Sequence, residues 1–254
     1  MSGGLYVENL SKAYGGLAVS RDISLTLVPG ARAALIGPNG AGKTTFINLV
    51  TGLVAPSAGR IRIGERDVTR TSAAARVRLG LARTFQMSRL FAGMAAREHL
   101  GLAILQRQGR ARRLFGRLRH MAPVQAEIGR LLAQFGIAEI GDRKAESLAY
   151  GERRLLEIAI ALALEPKILL LDEPAAGVPQ SETWRILAAL ETLPDDLAVL
   201  IVEHDMDLVF RFARRIIVLA EGRVIFSGTP ADAAADAAVR EAYLGSYAHV
   251  RGRA

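Results

Sequence analysis

Nine consecutive residues, Gly37, Pro38, Asn39, Gly40, Ala41, Gly42, Lys43, Thr44 and Thr45, concentrate the groups best suited to gripping an anion. Their spacing fits G-x-x-x-x-G-K-[ST], in which glycines let successive backbone N–H groups turn inward without a Cβ in the way. Such a cradle suits a nucleoside triphosphate, here read as ATP. Lys43 would set a point charge on the β- and γ-phosphates, Thr44 would offer a hydroxyl to Mg²⁺, and the helix that follows would aim its positive end at the same oxygens. Far downstream, the apolar run Ile168-Leu169-Leu170-Leu171 ends in Asp172 and Glu173. In an open parallel sheet strand ends converge on one crevice, so Asp172 could hold Mg²⁺ through water and Glu173 could orient or deprotonate an attacking water. Ile201-Val202-Glu203-His204 repeats the arrangement one strand later. His204 there either bonds the γ-phosphate or is a structural strand-end histidine. Tyr14, just before Gly15-Gly16, offers an aromatic face for a purine, or is ordinary core or surface.

The elements that must position these groups are legible from pattern. Leu5, Val7 and Leu10, then Ile23, Leu25 and Leu27, read as strands of an antiparallel flank, and Ala33 to Ile36 reads as a buried parallel strand feeding the glycine loop. Phe46, Leu49, Val50 and Leu53 recur at helical spacing after it, and Ile61 and Ile63 give another strand. Between about 88 and 150 the pattern turns helical, with Ile128, Leu131, Leu132 and Phe135 on one face and Gly136 as the stop. The second half alternates strand and helix. It runs Ile168 to Leu171, a helix capped by Ser181, Ala198 to Val202, Met206 to Phe212, a hairpin turning at Glu221-Gly222, and a last helix capped by Thr229-Pro230. This organisation predicts one domain: a nucleotide-binding core from 1–87 and 151–254, and a helical subdomain at 88–150.

Bulk composition bounds the rest. The 254 residues suffice for one α/β domain with a full core, and the absence of cysteine excludes disulfides and thiolate metal sites. No run reaches the roughly 18 apolar residues of a membrane span, and the start of the chain lacks signal-peptide character. Half the residues are nonetheless hydrophobic, which suggests an apolar surface that a partner covers. The net charge of +8 is partly concentrated in Arg107, Arg110, Arg112, Arg113, Arg117 and Arg119. That window is either a solvated basic loop or a contact for nucleic acid or anionic lipid.

Leu148-Ala149-Tyr150-Gly151-Glu152-Arg153-Arg154 precedes an apolar helix expected over Leu155 to Leu164, with Tyr150 and Gly151 exposed at its positive end. With this stretch the chain resembles the ATPase subunits of ABC transporters along essentially its whole length. The resemblance implies a P-loop, RecA-like ABC ATPase core of α/β class with an antiparallel flank and an inserted helical subdomain. It makes Tyr14 the base-stacking residue and Gln86 the lid glutamine and a Mg²⁺ ligand beside Thr44 and Asp172. It makes Glu173 the catalytic base, His204 the switch histidine, and Ala149, Tyr150, Gly151 and Glu152 a signature that closes over the γ-phosphate held by a second ATPase subunit.

The stretches RTFQ at 83–86, LAYGERR, DEPAAG at 172–177, VEHDM at 202–206 and the terminal Tyr243-Leu244-Gly245 are similar to the branched-chain amino acid importer group of that family. The group implies a homo- or heterodimer on the cytoplasmic face of the membrane, attached to two permease subunits and served indirectly by a periplasmic solute-binding protein, with no nucleic acid partner. Lipopolysaccharide-export ATPases are the nearest rival; a nucleic-acid clamp or a small-molecule kinase fits less of the chain. Two departures stand out. Ala149 replaces the usual serine, and Val178-Pro179-Gln180 stands where a Leu-Asp-Pro run is common.

Overall fold

A computed structural model describes residues 3–84, 90–110 and 121–244. Along the chain run β1 (Leu5–Tyr14), β2 (Leu17–Leu27), β3 (Arg32–Ile36), α1 (Lys43–Thr51), β4 (Ala58–Ile63), β5 (Arg66–Asp67), α2 (Ala73–Arg78) and β6 (Leu81–Arg83). Then come α3 (Ala96–Arg107), α4 (Ala122–Gln134), α5 (Tyr150–Ala163), β7 (Ile168–Asp172), α6 (Thr183–Glu191), β8 (Ala198–Val202) and α7 (Met206–Phe212). Then follow β9 (Arg215–Ala220), β10 (Arg223–Gly228), α8 (Pro230–Ala235), the short α9 (Ala237–Val239) and a π-helical turn, Arg240–Leu244. No helix among the described residues is long and apolar enough to cross a membrane.

Two sheets form. Four strands build an antiparallel sheet in the order β2-β1-β4-β5; the second sheet runs β10-β9-β3-β8-β7-β6, with β9 through β6 parallel and β10 antiparallel at one edge. The apolar runs of β3, β7 and β8 are explained by their having two covered faces. Ala34, Ile36, Leu169, Leu171, Val199 and Ile201 face a core shared with α3 to α7. Their alternates Ala33, Leu35, Ile168, Leu170, Ala198 and Leu200 face a second core, shared with α1 and the antiparallel sheet.

Register decides where the chemistry falls. Leu35 pairs with Val202, and Val202 pairs with Asp172, so three strands end in one row. The residues just past that row, Gly37, Glu173 and His204, therefore leave the sheet along a single edge. In the hairpin, Glu221 and Gly222 both take positive φ, of 48° and 76°, the pairing a tight two-residue turn between right-twisted strands requires.

Four details differ from the pattern-based expectation. α5 starts at Tyr150 rather than Leu155, because Ala149 takes N-cap backbone geometry and Glu152, third in the helix, accepts its N–H although Ala149 has no capping side chain of its own. Ser181 lies inside a short 3₁₀ turn, Gln180–Glu182, begun after Pro179, so α6 starts at Thr183 with no side-chain cap. The helix at Pro230 is capped by the Thr229 hydroxyl as expected but is followed by α9. Arg107 is no solvated loop residue: its guanidinium pairs with Glu127 at 2.8 Å and Glu165 at 2.9 Å, and the Glu127 hydrogen bonds hold its pKa above the ordinary arginine value. Arg112, Arg113, Arg117 and Arg119 lie outside the described residues.

Candidate functional site

The loop Gly37 to Gly42 owes its shape to close backbone contacts on one side and openness on the other. Gly37 has φ 153°, and a Cβ there would fall 2.0 Å from the Leu219 carbonyl oxygen of β9. At Gly40, φ 80°, a Cβ would meet nothing within 4 Å. The loop is thus pressed against the sheet at its start and open at its crown. From behind, the hairpin tip supports it, since Gly222 donates its N–H to the Ala41 carbonyl at 3.0 Å.

The helix that follows is left uncapped. Gly42 brings no side chain to the N-cap of α1, and the first turn contains no acid. The first amides and the helix dipole therefore face the loop with no anion of the chain's own. Lys43 folds over the loop, donating to the Gly37 carbonyl at 2.6 Å and the Pro38 carbonyl at 3.0 Å. Burial holds its ammonium below the usual lysine value, and the charges of Glu173 and Asp172 oppose that shift. A phosphate oxygen offers Lys43 a charged acceptor where it now has two neutral carbonyls, so the donor set fits an anion.

Asp172, at the end of β7, is buried and accepts from Arg83 Nη2 at 2.7 Å, while its own N–H donates to the Thr84 hydroxyl at 3.3 Å. Glu173 is half-buried and takes φ 49°, rare for a residue with a side chain, with its N–H fixed to the Val202 carbonyl at 2.8 Å. The bond carries the β7–β8 ladder one residue past Asp172, and the positive φ then turns the chain out of the sheet.

Glu203 has a role of its own beyond leading into His204. Only 1% exposed, it accepts the N–H groups of Ala175 at 2.8 Å, His204 at 3.0 Å and Asp205 at 3.3 Å. Burial pushes its carboxyl above the ordinary glutamate value, against those three hydrogen bonds. It ties the segment after Glu173 to the turn that carries His204, whose ring stays mostly exposed. The signal in the sequence was an acid directly at the end of a wholly apolar strand.

Tyr14 is half-exposed at the end of β1, with the Lys12 ammonium 4.9 Å from its ring centroid. Gln86 lies outside the described residues, as does 85–89 around it. The start of α5 is more closed than expected. Glu152 folds back to accept the Ala149 N–H at 2.8 Å and pairs with Arg143 at 3.0 Å. Tyr150 is exposed as expected, with its hydroxyl 3.1 Å from Arg154 Nη2. Gly151, expected to be exposed, is buried: a Cβ on it would lie 2.8 Å from Glu182 Oε2, because the first turn of α5 packs on the segment leading into α6. Among the described residues, no hydrogen bond or ion pair joins Ala149, Tyr150, Gly151 or Glu152 to the loop at 37–45 of the same chain.

An apolar cavity lies elsewhere in the described residues, away from these open, polar loops. It measures about 530 Å³ and runs between the α2–β6 region and helices α3 and α5, lined by Leu53, Val77, Phe91, Leu102, Ile160 and Leu164 among others. Its wall is held by His99, buried at 5% exposure, whose Nε2 accepts the Phe91 N–H at 2.9 Å.

Comparison with known proteins places the chain among relatives. Residues 20–176 match the family model described as ABC transporter, and residues 223–249 match that for the branched-chain amino acid ATP-binding cassette transporter. The chain is 38% identical over 250 residues to the high-affinity branched-chain amino acid transport ATP-binding protein LivG of Salmonella typhimurium, covering 95% of this chain and 97% of that one. It is 36% identical over 244 residues to the lipopolysaccharide export system ATP-binding protein LptB of Escherichia coli, again covering 95% and 97%. The crystal structure of the ADP conformation of MJ1267, an ATP-binding cassette of an ABC transporter, superposes with a TM-score of 0.82 at 28% identity, over 96% of this chain and 99% of that one.

Proposed function

The chain belongs to the ABC transporter ATP-binding family and is an ATPase coupled to transport, and from that premise we propose that it drives an importer for branched-chain amino acids or related amide and amino-acid solutes. The observation that carries the mechanism is the shared row Leu35–Val202–Asp172, which sends the phosphate loop, Glu173 and His204 out of the sheet along one edge. ATP would lie with its phosphates on the amides of Gly37 to Thr45, its charge met by Lys43, and its base against Tyr14. Thr44, Asp172 and Gln86 are the residues that would hold Mg²⁺, which when bound offsets charge on the β- and γ-phosphates. Glu173 orients and deprotonates water in line with the γ-phosphate, and His204 bonds its oxygens.

The second half of the site comes from another copy or a related ATPase. Tyr150, Gly151 and Glu152, which make no hydrogen bond or ion pair to their own loop, would close over the partner's nucleotide, with Ala149 setting the start of the helix. In this reading 1–87 and 151–254 form the nucleotide core, and 88–150 is the helical arm onto which α5 packs through α3 and α4. In this reading the apolar groove between core and arm receives a membrane permease subunit on the cytoplasmic face of the membrane; a periplasmic binding protein would act through the permease.

The test is reconstitution in lipid with candidate permease subunits. Mg-ATP turnover is expected to depend on those subunits and to rise with a loaded solute-binding protein, and the activating solute names the cargo. Activation by lipopolysaccharide-export membrane subunits instead, a reading that the 36% identity to LptB supports, would replace it.

A further inference from the structure

Arg83 connects parts of the molecule that the site needs to keep in step. It is the last residue of β6, and its side chain is 10% exposed. One arm of its fork, Nη1, donates to Asn48 Oδ1 on α1 at 2.7 Å; the other, Nη2, donates to Asp172 Oδ2 on β7 at 2.7 Å. A single planar group thus ties the helix that follows the phosphate loop to the carboxylate at the end of the neighbouring strand. The same side chain lines the apolar groove. Its partner Asp172 has a side chain only 5% exposed, so the carboxylate sits where an uncompensated charge is costly.

We infer that Arg83 is a positioning residue for the metal site: in the nucleotide-free chain its guanidinium is the counter-ion of Asp172, and it shares that carboxylate with the divalent cation once ATP is bound. The inference rests on the proposed role of Asp172 in holding Mg²⁺. Its physical content is a competition. A fixed cation at 2.7 Å from Oδ2 lowers the negative potential that Asp172 presents to a second cation, so Arg83 aims the carboxylate while weakening its hold on the metal. Only a fork can do this and bond Asn48 at once, which a lysine cannot.

The readout is metal affinity rather than turnover. Mn²⁺ is titrated, by its electron paramagnetic resonance signal, into the full chain loaded with a non-hydrolysable ATP analogue. Arg83→Gln is expected to bind Mn²⁺ about five- to tenfold more tightly than the parent, the order of effect of deleting one neighbouring positive charge when the interaction is strongly screened by solvent. It should also show a larger Mn²⁺-induced rise in melting temperature. A role confined to holding the fold predicts equal or weaker binding, and that result overturns the inference. Should Arg83→Gln not fold, Arg83→Met, which removes the charge and keeps an apolar stem against the groove, takes its place. Tighter Mn²⁺ binding is expected there, and unchanged or weaker binding overturns the inference. Asp172→Asn separates the two claims. If it leaves Mn²⁺ affinity unchanged, the metal role of Asp172 fails; if it weakens affinity while neither of the other variants strengthens it, only the role of Arg83 fails.

Discussion

α1 begins at Gly42 with no side chain on its first amides and no acid in its first turn, whereas α5 begins at Ala149 with Glu152 folded back onto the Ala149 amide. α1 follows a glycine loop and α5 carries Gly151 in its own first turn, and the family resemblance sends both toward phosphate. The difference teaches how one chain can build two halves of a site without one occupying the other. α1 keeps its positive end for a ligand and fills the waiting space with Lys43, bonded to loop carbonyls that a phosphate can outbid. α5 satisfies one of its amides internally and packs Gly151 away, which leaves a stiff, pre-formed edge suited to a surface met only when a partner arrives. Glu203 repeats the second solution inside the domain, spending one buried carboxylate on three loop amides.

The largest effect belongs to the open end. Glu173→Gln is expected to lower ATP turnover by about 10² to 10⁴, the usual worth of a general base, while ATP affinity measured by calorimetry stays within a few fold. Loss of both together would move Glu173 from water activation to nucleotide binding.

The contrast can be broken by giving α1 the device that closes α5. Thr45 holds the third position of α1, as Glu152 does in α5. Thr45→Glu should cap α1 with its own carboxylate, adding about 0.3–1 kcal/mol to the nucleotide-free chain and costing ATP affinity at least about tenfold, roughly 1.4 kcal/mol. Undiminished ATP affinity in that variant would mean the amides of α1 are not where the phosphates bind. The converse change, Glu152→Ala, opens α5. It should lower stability to chemical denaturation by about 0.5–2 kcal/mol and leave ATP affinity of the lone chain unaltered, since that edge belongs to the partner's site.

What could be read from the sequence follows the same division. The open end is built from local rules: glycines at fixed spacing, a lysine, an apolar strand before and a helical stripe after. β8 and α7 likewise fall at the residues their pattern indicated, because apolar runs with polar ends leave little freedom. The closed parts depend on contacts remote in sequence. Arg83 and Asp172 are 89 residues apart, and no spacing rule pairs them. The burial of Gly151 depends on where Glu182 arrives, and the true start of α5 on an alanine that carries no capping group. The 3₁₀ turn that displaced Ser181 from its expected cap arises from the geometry that Pro179 imposes before it.

The smallest effect, and the sharpest check on the closed solution, is the pH dependence that Glu203 imposes. Burial raises its carboxyl above the 4.5 of an unfolded glutamate, so the folded chain holds that proton to higher pH than the unfolded chain does. Its contribution favours folding most at pH below 4.5 and is lost as pH rises through the raised value, above which the carboxylate is ionised in both states. Glu203→Gln removes the titration and sets an amide against three N–H donors, a cost that does not change with pH. The stability of the variant relative to the parent should therefore increase with pH from 4.5 upward and then level off, read from denaturant midpoints at successive pH values. A relative stability that is flat across that window would mean the three amide bonds fully offset the cost of burying the Glu203 carboxylate.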